Sequence, residues 1–123
     1  MATTRPEVPP RASYHHGDVR GAAIDEGLSL LDEGSGSLAL REVARRIGVA
    51  HHALYHHFAD KAAFERALSA KGFEALADRV EGARDAASFV ATYARFALDR
   101  PRLYELMMRQ TYATFESDPE LRA

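Results

Sequence analysis

From Tyr14 onward, apolar residues recur along the chain at steps of three and four. Val19, Ala23, Ile24, Leu28 and Leu31 form the first such stripe, the spacing of one face of an amphipathic helix. Asp18 stands near its start and Gly34-Ser35-Gly36-Ser37 ends it. Its polar side is acidic, with Asp25, Glu26, Asp32 and Glu33. A shorter helix is predicted next. Leu40, Val43, Ala44 and Ile47 keep the i, i+3, i+4, i+7 pattern, Arg41, Glu42, Arg45 and Arg46 take the outer side, and Gly48 stops it. A second short segment runs from His51 to Phe58 with Leu54 and Phe58 as its core pair, and Val49 fills the corner between the two.

Asp60 then has the chemistry of an N-cap. It opens a long helix from Lys61 to about Ala83 that buries Phe64, Leu68, Phe73, Leu76 and Val80. Asp85 caps a further helix through Leu98, whose buried side carries Phe89, Val90, Tyr93 and Ala97. Pro101 suits the first turn of a last helix, with Leu103, Leu106, Met107 and Gln110 on one face. The tail from Phe115, with Asp118-Pro119, is expected to fray. No alternating strand pattern and no repeat occurs, so the predicted fold class is all-α with about six helices.

Composition narrows the function classes. A length of 123 residues suits one domain, or one small domain and part of another. The chain is 46% hydrophobic and 28% charged, the balance of a folded soluble protein. It has no cysteine, which excludes disulfides, thiolate zinc clusters and thiol nucleophiles. No apolar run approaches the roughly 20 residues that span a bilayer. Residues 1–13 hold three of the five prolines and two arginines, a flexible arm without the apolar stretch of a secretory signal. A cytoplasmic location is expected. The formal charge of −2 disfavours a binder of bulk polyanion, but for nucleic acid the distribution of charge matters more than its sum.

That distribution points to residues 39–61. Two short helices meet at Gly48 with almost no linker, and Ala44 lies four residues before the glycine. A helix-turn-helix needs this arrangement: a small residue lets the second helix cross close over the first, and a glycine takes the left-handed turn. The second helix then projects and can enter a major groove. At 100° per residue, with Leu54 facing inward, His52 and His56 point away from the core. His51 and Tyr55 lie on one flank, Ala53 and His57 on the other. Residues 41–61 carry four Lys/Arg against two acids, a local balance of +2.

The segments YHHGDVRGAAIDEGLSLL, LREVARRIGVA and ALYHHFADKAAF, in this order, resemble the DNA-binding domain of TetR-type transcriptional regulators over roughly residues 14–80. LYHHF followed by Asp60-Lys61 is the most specific piece. FALDRPRLYELM, residues 96–107, is similar to the start of the ligand-binding domain in one subgroup of these regulators. The resemblance implies base contacts from Arg41, His51, His52 and Ala53. It implies phosphate contacts from Tyr55, His57 and Lys61. The chemistry agrees: arginine can grip guanine bidentately, while Tyr, His and Lys serve phosphates. Two departures stand out. The family places Ser or Thr at the starts of its second and third helices, where this chain has Ala39 and Ala50. Family members also continue for several more helices, which build the dimer interface and close the ligand pocket.

The domain organisation expected on these grounds is a flexible arm over 1–13, a three-helix helix-turn-helix domain over 14–60, and over 61–123 a long connecting helix with an incomplete helical ligand and dimerisation domain. Phe89, Tyr93, Tyr104 and Met107 are candidates for a ligand pocket, against the plainer reading of helix packing or a dimer seam, which is favoured residue by residue. Tyr14, His15 and His16 either contact DNA from the arm or fix the start of the first helix. His52 and His56 have a metal-ligand spacing, but no third ligand or supporting shell is evident. No catalytic grouping emerges, and neither an enzyme nor a cofactor is expected. The expected function is a sequence-specific DNA-binding repressor, acting as a homodimer on a palindromic operator and released by a small-molecule effector. The alternative is a shortened, DNA-incompetent chain that pairs with a full-length relative.

Overall fold

The computed structural model describes residues 18–34 and 38–122, and the arm over 1–13 with Tyr14, His15 and His16 lies outside them. Among the described residues all regular structure is helical: α1 (Val19–Glu33), α2 (Leu40–Ile47), α3 (His51–Leu54), α4 (Lys61–Val80), α5 (Ala86–Asp99), α6 (Pro101–Ser117) and α7 (Pro119–Arg122). The chain divides into two compact units, Met1–Phe64 and Glu65–Ala123.

In the first unit α1 starts where the Asp18 carboxylate accepts a hydrogen bond from the Gly21 N–H at 2.8 Å. It ends at Gly34, whose φ of 74° lets its N–H reach back to the Leu30 and Leu31 carbonyls. The core takes Ala22, Ala23, Ile24 and Leu30 from α1, all four apolar residues predicted for α2, and Leu54, Phe58 and Phe64. Phe58 and Phe64 meet edge to face at 5.0 Å. One assignment is corrected: Glu26 is not on the solvated side of α1 but is 1% exposed. It sits three residues after Ala23 and four before Leu30, within the apolar stripe, and its carboxylate meets Arg46 Nη1 of α2 at 3.4 Å. Val19, Leu28 and Leu31 are half-buried flanks of that stripe.

In the second unit α4 turns Leu68, Gly72 and Leu76 inward. Phe73, 40% exposed, lies off that line, and Val80 is only half-buried. Gly72 is the point of closest approach, since a Cβ there would lie 2.5 Å from Met107 Sδ and 3.1 Å from Leu103 Cδ1 of α6. Asp85 and Ser88 form a reciprocal capping box that starts α5. Burial on α5 centres on Phe96. Phe96 near the joint is fully buried, Tyr93 and Ala97 are half-buried, and Phe89 and Val90 toward the far end are exposed, so the predicted buried side holds only in part. The tail does not fray at Phe115. Helix α6 runs on to Ser117, and the Asp118 carboxylate accepts from the Glu120 N–H at 2.9 Å. This Asp-Pro pair supplies a cap and a preset first turn for α7.

Candidate nucleic-acid interface

Ala44 is 1% exposed, and its carbonyl accepts from both the Gly48 N–H at 2.9 Å and the Val49 N–H at 3.0 Å. That closure requires Gly48 in the left-handed region, at φ 78°, where a Cβ is costly. The chain reverses within three residues and starts α3 at His51. Neither Ala39 nor Ala50 makes a side-chain cap bond. Helix α3 is correspondingly one turn long. It then tightens, with the His56 N–H donating to the Ala53 carbonyl and the His57 N–H to that of Leu54. Histidine is a mediocre helix former, and an uncapped start adds nothing to hold a longer helix. What fixes the segment is its two anchors, Leu54 at 0% and Phe58 at 2% exposure.

With those anchors inward, His51, His52, Tyr55, His56 and His57 are exposed and Ala53 is half-buried. The His51 and Tyr55 rings meet edge on at 5.2 Å, as expected for residues sharing a flank. A groove of about 330 Å³ is lined by Ala39, Leu40, Arg41, His51, Tyr55 and Lys61. Four predicted contact residues, Arg41, His51, Tyr55 and Lys61, therefore converge on one concavity. His52, Ala53 and His57 lie outside its lining.

The arginines of α2 divide by role. Glu42 accepts bidentately from Arg45, at 3.1 and 2.6 Å, and also from Arg46 Nε at 3.1 Å. The hydrogen bonds from Arg45, then those from Arg46, hold the Glu42 carboxyl down at about 2. Arg46 reaches on to the buried Glu26 and, at 3.8 Å, to Glu33. Arg41 and Lys61 are exposed and make no ion pair among the described residues. Two groups escaped sequence reasoning. Glu26 could have been found from its wheel position. Arg20 could not: its Nη1 donates to the His57 carbonyl at 3.2 Å and its guanidinium lies 4.8 Å from the Phe58 ring centre, a contact between residues 37 apart.

In the second unit the Tyr93 and Tyr104 hydroxyls are hydrogen-bonded at 3.0 Å, with their rings edge to face. The bond to Tyr104, with burial, pushes the Tyr93 hydroxyl above its ordinary value. Phe89 stacks against Tyr93 but is 44% exposed, and Met107 is wholly buried. Two surface concavities of this unit have other linings. One, of about 350 Å³, is bounded by residues such as Arg79, Arg84 and Thr92. The other, of about 260 Å³, is bounded by Ser69, Phe73 and Gln110 among others. No helix among the described residues is long and apolar enough to cross a membrane.

Two short helices joined through a left-handed glycine, with the second anchored inward and polar outward, define a helix-turn-helix protein. Residues 24–68 match the family model described as bacterial regulatory proteins, tetR family. Over residues 24–68 the chain is thus similar to the N-terminal DNA-binding domain of these regulators. No curated protein and no solved structure gives a match.

Proposed function

We propose that the chain is a sequence-specific repressor that binds a palindromic operator as a homodimer in the cytoplasm and leaves it when a small-molecule effector binds. The convergence of Arg41, His51, Tyr55 and Lys61 on one exposed groove beside the Gly48 turn carries this reading. Arg41, His51, His52 and Ala53 face base edges, where arginine and imidazole supply directed hydrogen bonds. Tyr55, His57 and Lys61 sit beside phosphates and set the register. Exposed apolar side chains in the second unit, Val90, Leu98 and Tyr112, leave surface for a second copy. The effector engages the same unit, where the Tyr93 and Tyr104 hydroxyls beside Phe89 supply polar and aromatic contacts. Met107, being fully buried, joins them only on repacking.

The test is a salt titration of binding to a random duplex, followed by selection from a random pool. Affinity should fall linearly on a log–log scale with salt, by a slope of about 0.9 per phosphate neutralised, and the selected sequences should be palindromic. A flat salt dependence would sink the proposal. Light scattering on the free chain should give the mass of a dimer.

A further inference from the structure

The structure assigns Arg20 of α1 as a positioning residue for the recognition segment; the assignment rests on the DNA-binding reading above. Helix α3 is a single turn without a side-chain cap, so its orientation depends on what grips its end. Carbonyls at a helix C-terminal end have no partner within the helix. Here the His57 carbonyl, at the end of the exposed segment, accepts from Arg20 Nη1 at 3.2 Å. The same guanidinium lies 4.8 Å from the centre of the Phe58 ring, within cation–π range. Phe58 is the buried anchor of the segment and packs edge to face on Phe64. One planar, rigid fork thus holds both the anchor and the backbone of His57, a residue proposed to meet phosphate. Arg20 is exposed, so the competing role is direct phosphate contact. The two roles differ in what they do to salt dependence.

The experiment compares wild type, Arg20→Met and Arg20→Lys. Binding is measured to the duplex that wild type selects from a random pool and to a random duplex at several salt concentrations. Amide exchange at His56, His57 and Phe58 is measured without DNA. Arg20→Met should weaken binding to the selected duplex roughly tenfold, the scale of one hydrogen bond to a charged group, with the salt slope unchanged. Exchange at the three amides should quicken by a similar factor. Arg20→Lys, which keeps the cation and one donor, should recover part of both and serves alone if the methionine variant does not fold. A salt slope shallower by about 0.9 with unchanged exchange makes Arg20 a phosphate contact and overturns the assignment. If wild type shows no salt-dependent binding, the DNA reading itself fails, and unchanged exchange in Arg20→Met would then overturn the clamp as well.

Discussion

Replacing Arg46 with methionine tests whether a buried charge pair ties α1 to the helix-turn-helix. Glu26 is 1% exposed and its carboxylate lies 3.4 Å from Arg46 Nη1. Removing one partner of a fully buried pair costs about 3–5 kcal/mol, because the other charge is left in a low-dielectric site. A pair at the surface is worth about 0–1 kcal/mol. Arg46 is 31% exposed on its side chain, which puts this pair between the limits, so Arg46→Met should cost about 1–3 kcal/mol. Arg45→Met is the control. It also loses bonds to Glu42, but its side chain is 68% exposed, and the loss should stay below about 0.5 kcal/mol. Urea unfolding followed by far-UV circular dichroism gives each value. Adding Glu26→Gln to Arg46→Met completes a double-mutant cycle. The double variant should lose less than the sum of the single losses, since neutralising Glu26 removes the charge that Arg46 compensated. Additivity within about 0.5 kcal/mol, or equal losses for Arg45→Met and Arg46→Met, would refute the reasoning.

Three further outcomes follow from local geometry. Ala50→Ser supplies the missing cap of α3, whose preceding residue is already extended at φ −65° and ψ 141°. It should add about 0.5–1 kcal/mol in urea unfolding and tighten binding to the selected duplex. Gly72→Ala gains about 1 kcal/mol of helix propensity but drives a Cβ to 2.5 Å from Sδ and 2.9 Å from Cγ of Met107, itself fully buried, so overpacking of about 1–3 kcal/mol should win and the melting temperature fall. Glu42 is held from its ordinary 4.5 down to about 2 by Arg45 and Arg46. A depressed carboxyl stabilises the fold above its unfolded value, so this contribution is present above about pH 4.5 and lost as pH falls toward 2. Stability curves of wild type and Glu42→Gln should converge at low pH and separate above it.

Much of the fold was legible because two kinds of signal agree in it. In α2 the apolar positions Leu40, Val43, Ala44 and Ile47 are all buried, and the helix ends at a glycine that the turn requires. Caps at Asp18, Asp60 and Asp85 mark helix starts because a short carboxylate beside a free N–H is a local device. Burial in the second unit was less legible. Periodicity identifies a face but not how much of it a neighbour covers, so Phe89 and Val90 remain exposed while Phe96 is buried. The acidic network was hidden for another reason. Residue type places Glu26 among the solvated acids, and only the fold shows that Arg46 reaches across from α2. Of the candidate interface, the outward face of α3 followed from 100° per residue. The grip of Arg20 on His57 is a tertiary contact between residues 37 apart with no sequence signature.

The charge of the reading surface can now be assigned group by group. The local excess of +2 over residues 41–61 counted Arg45 and Arg46, but both bond Glu42, and Arg46 also serves Glu26 and Glu33. Those cations hold α2 together and tie it to α1. The exposed cations of the proposed reading surface are then Arg41 and Lys61, with Arg20 bonded to the His57 carbonyl. Lys61→Met should therefore make the salt slope of binding to the selected duplex shallower by about 0.9, while Arg45→Met leaves it unchanged. A shallower slope for Arg45→Met would mean that the cations bonded to Glu42 also meet phosphate.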